Sequence, residues 1–273
     1  MTGSWHDTHL GSGPLSRRRT GTFNFDLDAA SPAHVLYLEP VLPRIRGVVG
    51  GVTVVDTRRA MRLHESGLLP QWYVPAGDVR QDLLTPTATS THCPFKGDAS
   101  YWTVTAADRV VEDACWGYPT PLPTAPPQLA GLVAFYDDKI DEWYEEDELL
   151  LGHARDPYHR VDTRPSSRHV DVRVAGELVA QTDRPLAVFE TGMPARWYVP
   201  RADVTAALED SATTSICPYK GVAAYHGVRV GDRVVPDAAW SYPEPLGEAL
   251  AARDHVCFWG DETIVTVDGE QAP

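Results

Sequence analysis

The 273-residue chain is poor in the features that would tie it to a metal, a disulfide framework or a membrane. Its four cysteines, Cys93, Cys115, Cys217 and Cys257, form no C-x-x-C pair, so neither a zinc knuckle nor a paired-cysteine scaffold is indicated and they read as free thiols. No run approaches the ~20 apolar residues of a membrane helix, and Met1 to Gly21 lacks the apolar centre of a signal peptide. A cytoplasmic protein without a membrane partner is expected. Positive charge is also scarce: 24 Lys and Arg stand against 38 Asp and Glu, a formal net charge of −14. Such a surface repels phosphate backbones, so nucleic acid is not an expected partner. The chain carries no G-x-x-x-x-G-K-[ST], no H-E-x-x-H and no convincing G-x-G-x-x-G; no cofactor and no metal are expected.

What is plentiful is proline and glycine, 23 and 21 residues, which punctuate a chain into short strands and turns rather than long helices. The chain is also written twice. Thr91-His92-Cys93-Pro94-Phe95-Lys96-Gly97-Asp98-Ala99-Ser100-Tyr101 returns as Ser215-Ile216-Cys217-Pro218-Tyr219-Lys220-Gly221-Val222-Ala223-Ala224-Tyr225, keeping Cys-Pro-aromatic-Lys-Gly-x-Ala-x-Tyr. Trp72-Tyr73-Val74-Pro75 returns at Trp197, and Trp116-Gly117-Tyr118-Pro119 at Trp240. The separation drifts only from 125 (Trp72 to Trp197) through 124 (Cys93 to Cys217) to 123 (Phe135 to Phe258), the mark of a duplicated domain.

These repeats predict an all-β protein, mainly β with a short helix, made of two tandem domains related by internal duplication. The expected boundaries are a mobile N-terminal arm over 1–33, a first repeat over 34–148, a polar linker over 149–168 and a second repeat over 169–273. Val48 to Val55, broken by Gly50-Gly51, predicts two strands about a tight turn. Asp78 and Asp203 are expected to N-cap one or two helical turns. Leu132 to Tyr144 and Val256 to Val267 are expected to close each repeat as a hairpin. His34 to Leu38 reads as a packing segment without a counterpart in the second half.

A residue kept in both halves is a candidate for what the domain does. That filter removes the histidines compared: His92 stands against Ile216, His64 against Phe189 and His226 against Trp102. Cys115 and Cys257 stand against alanines and read as small core residues. Cys93 and Cys217 survive as candidate nucleophiles or close substrate contacts, because a cation held nearby raises the thiolate fraction. Proline sets the preceding cysteine extended, and Gly97 or Gly221 can take a positive φ; the turn is expected to bring Lys96 or Lys220 back toward the thiol. The lysines can bind an anionic or carbonyl group, act as amines, or pair with Asp78, Asp113, Asp203 or Asp237 as structural ions. Shared aromatic residues, Trp72, Tyr73, Tyr101, Trp116 and Tyr118 with Trp197, Tyr198, Tyr225, Trp240 and Tyr242, are candidate pocket walls and equally candidate core. Glu65/Glu190, Asp113/Asp237 and Arg109/Arg233 are also shared, and read as turn or surface pairs. The eight carboxylates of Asp137 to Glu148 read as a solvated end.

Trp-Tyr-Val-Pro, Cys-Pro-aromatic-Lys-Gly-x-Ala-x-Tyr and Trp-x-Tyr-Pro-x-Pro-Leu, in that order, resemble the domain-of-unknown-function 427 family, over roughly Gly47 to Glu145 and His169 to Glu270. The resemblance implies a tandem member with two small domains of the β-tent type, a fold shared with methionine-R-sulfoxide reductases and the ligand-binding domain of cereblon. A nucleotidyltransferase would need Gly-Ser followed by an Asp-x-Asp pair. Neither repeat has it; the only Asp-x-Asp, Asp26-Leu27-Asp28, lies in the arm. Three readings follow: an enzyme acting on a small polar metabolite through Lys96, Lys220, Cys93 and Cys217; a non-catalytic module in which aromatic residues cage a small molecule and lysine anchors it; and a structural pseudo-dimer of the two repeats.

Overall fold

The computed structural model describes residues 34–272, with Asn24 and Asp26 before them. The rest of the arm expected over 1–33 lies outside the described residues. Two units divide the chain, 1–158 and 159–273.

In the first unit β1 (Leu36–Pro40), β4 (Met61–Glu65), β5 (Gln71–Pro75), β6 (Leu84–Cys93), β7 (Gly97–Ala106), β8 (Arg109–Gly117) and β9 (Leu132–Phe135) form an antiparallel sheet in the order β1-β4-β5-β9-β8-β7-β6. A smaller sheet, β11-β10-β2-β3, is built from β2 (Ile45–Val49), β3 (Val52–Thr57), β10 (Glu142–Glu145) and β11 (Glu148–Leu149). The second unit repeats this plan. β12 (Val161–Pro165), β15 (Leu186–Glu190), β16 (Arg196–Pro200), β17 (Leu208–Cys217), β18 (Gly221–Val230), β19 (Arg233–Ser241) and β20 (His255–Phe258) run in the order β12-β15-β16-β20-β19-β18-β17. Its smaller sheet, β14-β13-β21-β22, uses β13 (Val170–Val174), β14 (Glu177–Thr182), β21 (Thr263–Val267) and β22 (Glu270–Gln271). The all-β, duplicated architecture expected from the repeats is therefore what the chain forms.

Period-2 alternation decides which side chains meet. Along β5, Trp72 and Val74 face the smaller sheet and join Ile45, Val54, Val55, Phe135 and Trp143 in one core, whereas Tyr73 turns to the opposite face with Leu63, Tyr101, Tyr118 and Ala134. In β16, Trp197 and Val199 do the former and Tyr198 the latter. Each larger sheet thus has a sandwiched face and a second face rich in tyrosine. The Gly50-Gly51 turn joins β2 and β3 as expected, with φ of 57° and 74°.

Four local expectations are corrected. First, residues 149–168 are not all linker: Leu150 and Ala154 enter the first core, and 161–165 form β12, paired with β15. Second, β12 is the counterpart of β1, so the segment after His34 does have an equivalent in the second half. Third, β9 and β10 form no hairpin. β9 pairs with β5 and β8, while β10 pairs with β2, because the chain crosses from one sheet to the other between them; β20 and β21 do the same. Fourth, Asp78 and Asp203 cap no helix. They end 3-10 turns (Ala76–Asp78, Arg201–Asp203), and their carboxylates instead accept Thr57 Oγ1 and Thr182 Oγ1, each at 2.6 Å, and the guanidiniums of Arg59 and Arg184. Both strands end in the hydroxyl that claims the carboxylate, so no orphan amide receives it.

Candidate functional site

The repeated turn closes the hairpin between the two longest strands of each larger sheet, with Cys93 paired to Gly97 and Cys217 to Gly221. Gly97 and Gly221 take φ of 104° and 106°, as the motif predicts. The carbonyls of Lys96 and Lys220 accept the amides of Leu122 and Leu246, each at 3.0 Å, which ties the turn to the Pro-x-Pro-Leu segment of the same repeat. The lysine side chain is then directed under the sheet face rather than into solvent. Lys96 is 7% exposed.

Its partner is neither the thiol nor any of the four aspartates considered. Lys96 Nζ donates to Glu65 Oε2, and Lys220 Nζ to Glu190 Oε2. The other oxygen of each carboxylate holds an imidazole: His34 Nε2 lies 3.0 Å from Glu65 Oε1, and His159 Nε2 lies 3.0 Å from Glu190 Oε1. The aromatic residue of the turn covers that ring. Phe95 stacks on His34 at 3.6 Å between centroids and 6°, and Tyr219 on His159 at 4.4 Å and 31°. Bonds of the next residue fix the histidines in register: Ser66 N and Thr191 N donate to the carbonyls of Val35 and Arg160 at 3.1 and 3.0 Å, and Val35 N and Arg160 N donate to Ser66 Oγ at 3.0 Å and Thr191 Oγ1 at 2.9 Å.

A histidine is therefore shared after all. His34 and His159 stand 125 apart, the same offset as Glu65 and Glu190. Carrying that offset back past Gly47 pairs them, together with Pro40 and Pro165, the last residues of β1 and β12. The sequence alone reads the two glutamates as turn or surface pairs; the structure makes them the centre of the arrangement. The aspartates considered for lysine bind hydroxyls or arginine instead, with Thr87 and Thr89 donating to Asp113 at 2.6 and 2.8 Å and Thr213 to Asp237 at 2.7 Å.

Burial pushes the Glu190 carboxyl up, but hydrogen bonds and charge from His159 and Lys220 outweigh it and hold the group at about 2. An acid that weak in conjugate basicity takes no proton near neutrality. Burial pushes the phenols of Tyr73, Tyr118, Tyr198 and Tyr242 well up, leaving them neutral hydroxyl groups. Trp240 Nε1 donates to Tyr198 Oη at 3.1 Å, and Lys96 Nζ lies 5.6 Å from the Tyr118 ring centre. In the second repeat these groups line a cavity of about 300 Å³: Lys220, Glu190, Tyr198, Tyr225, Trp240 and Tyr242, with Ser215, Arg196, Met193 and Trp259 also in its wall.

Chain comparison agrees with this duplicated geometry. The family described as Domain of unknown function (DUF427) matches residues 37–146 and again 162–271. The chain belongs to that family. No curated protein matches it. In this DUF427 chain no described helix is long and apolar enough to cross a membrane, and no three His, Cys, Asp or Glu side chains among the described residues converge in a metal-holding group.

Of the expected pocket residues, the structure gathers Tyr73, Tyr101, Trp116 and Tyr118 on one sheet face and Tyr198, Tyr225, Trp240 and Tyr242 on the other repeat's equivalent. Trp72 and Trp197 belong to the sandwiched cores, because they neighbour the pocket tyrosine in a strand and so point the other way. Trp72 meets Trp143 edge-on at 5.6 Å. Trp197→Phe is expected to cost about 1–2 kcal/mol in urea unfolding while leaving ligand binding unchanged; a binding loss with intact stability would contradict this assignment.

Cys93 and Cys217 are half-buried at the strand ends, and among the described residues neither thiol has a hydrogen-bond partner. Cys115 and Cys257 are buried, as expected of core residues; burial pushes the Cys257 thiol up to about 12.

Proposed function

We propose that the DUF427 repeat is a small-molecule binding domain whose tyrosine- and tryptophan-lined face receives a polar ligand and whose ion-paired lysine anchors it. The observation that carries this reading is the cavity of the second repeat, where Lys220 and Glu190 meet four aromatic side chains kept in both halves. Its volume lies at the lower end of the range of small-molecule sites, about 300–1,000 Å³, and a few convergent polar groups in an aromatic wall is their usual composition.

The electrostatics favour an anchor over a nucleophile. Paired with a carboxylate, Lys220 is an ammonium donor, and its nitrogen lone pair is committed to a proton. Glu190, held at about 2 after burial is outweighed by its two donors, is a fixed anion rather than a base. His159 lies on the far oxygen of Glu190 and holds the carboxylate in place. Burying such a charged line rarely gains stability over apolar packing, which supports a role in recognition. Were a bound molecule to react here, Lys220 would act by polarising its carbonyl or anionic group.

Native mass spectrometry of freshly purified chain, joined to fragment titration followed at the Trp240 indole, tests the reading. Fragment binding in the wild type and at least a ~10-fold loss in Lys220→Met are expected. The double variant Lys220→Met/Glu190→Gln removes both charges and keeps the His159 bond, separating lost anchoring from a buried unpaired carboxylate. If neither a co-purified molecule nor any fragment engages Trp240, or if both variants bind as the wild type does, the proposal fails.

A further inference from the structure

The two repeats differ at the rim of the aromatic face. Position 196 is arginine, whereas its equivalent, Gln71, is neutral and donates through Nε2 to the Phe135 carbonyl at 3.1 Å. Position 259 is tryptophan, 53% exposed, against Tyr136 in the first repeat. Tyr136 lies on Trp116, with ring centres 4.4 Å apart, and Lys139 Nζ sits 4.9 Å from its ring centre. Burial, followed by a hydrogen bond with Tyr101, pushes the Tyr136 phenol up to about 12. In the first repeat this ring is thus held down across its own aromatic face. In the second repeat the equivalent ring carries the Arg196 guanidinium, 4.9 Å from its centre, and both line the cavity.

Charge in the second cavity does not balance. Glu190 is spent on Lys220 and His159, and it is the only carboxylate in the wall. Among the described residues Arg196 forms no ion pair. Two cations face one anion, leaving one guanidinium whose planar fork suits a carboxylate and whose position over Trp259 leaves its edge for hydrogen bonding.

We infer that the second repeat is the ligand-binding half and that its ligand is a small aromatic carboxylate, its anionic group on Arg196 and its ring against Trp240. This rests on the small-molecule reading above and adds the ligand class and the choice of repeat. A single unmatched positive charge suits a monoanion better than a doubly charged phosphate monoester. The small cavity suits one or two rings, and the neutral phenols of Tyr198 and Tyr242 offer hydroxyls without adding charge.

The probes are indole-3-carboxylate and indole-3-carboxamide, titrated calorimetrically into the full chain. The carboxylate is expected to bind about 10-fold more tightly or better, Arg196→Gln, which installs the first repeat's side-chain chemistry, to remove that preference, and Arg196→Lys to retain part of it. Far-ultraviolet dichroism checks that each variant is folded. Equal affinity for the two probes overturns the carboxylate assignment and leaves the small-molecule reading standing. Unchanged preference in Arg196→Gln overturns the role of Arg196. Binding of neither probe to the wild type overturns this inference, and if the fragment titration at Trp240 is also silent, the small-molecule reading falls with it.

Discussion

Glu65→Ala should lower the stability of the first unit by about 3–5 kcal/mol, the range for breaking a buried ion pair from one side. The carboxylate is 7% exposed and receives both His34 and Lys96. Removing it leaves an ammonium under the sheet face with no counter-charge and an imidazole with no acceptor on that side. Equilibrium urea unfolding reads the effect directly, and a loss below about 1 kcal/mol would mean that the line contributes no more than an exposed pair. Glu65→Gln keeps an oxygen acceptor but not the charge, so it should fall between the wild type and alanine.

The second unit allows the same network to be read by pH. The folded Glu190 carboxyl sits at about 2 against an ordinary 4.5. Its folded value is depressed, so its contribution is fully present above pH ~4.5 and is lost as pH falls toward 2, where the folded form also takes up the proton. Discounted for solvent screening of this part-exposed pair, the contribution is on the order of 1–2 kcal/mol. An acid-unfolding curve for Glu190→Gln should therefore be flatter than that of the wild type through this window. Superimposable curves would contradict the assignment.

Replacing the glycine of the turn is expected to cost nearly as much by a different route. At φ of 106° Gly221 occupies backbone space that a β-branched residue adopts only under strain, and a Cβ there would stand 3.0 Å from the Glu244 carbonyl oxygen. That carbonyl belongs to the backbone of the Pro-x-Pro-Leu segment tied to Lys220 and cannot swing aside like a side chain. Gly221→Val should destabilise by about 3 kcal/mol and weaken binding as well, because the turn that directs Lys220 toward Glu190 would have to open. Gly97→Val, where the nearest contact is Thr120 O at 3.2 Å, should behave alike in stability. A variant as stable as the wild type would show that the turn can adopt another conformation.

Much of the fold was legible because duplication supplies its own comparison. Trp72-Tyr73-Val74-Pro75, Cys-Pro-aromatic-Lys-Gly and the glycine turn of β2 and β3 each occur twice with a nearly constant offset, and all are strand or turn signals that act over a few residues. The lysine and the tyrosines of the site were found in this way. His34, His159, Glu65 and Glu190 were harder to read. The acids were visible as a shared pair, but nothing local distinguishes a glutamate ending a strand in solvent from one receiving two donors 31 residues away on either side. The histidines stand before Gly47, in a stretch, 34–46, where only His34/His159 and Pro40/Pro165 repeat.

By itself the sequence determined two copies of an all-β unit, the membership of both in one family, and a lysine presented by a rigid turn, because short-range backbone preferences and period-2 patterning carry that information. Only the tertiary structure decided what the lysine meets. β1 and β4 stand at one end of the larger sheet's strand order and the β6–β7 hairpin at the other, yet the folded sheet brings their ends together, so that histidine, glutamate and lysine from three distant segments join through one carboxylate; alternation along β5 and β16 then sends each tryptophan to the core and its neighbouring tyrosine to the site. These are consequences of pairing and register between distant strands, and no local stretch of the chain encodes them alone.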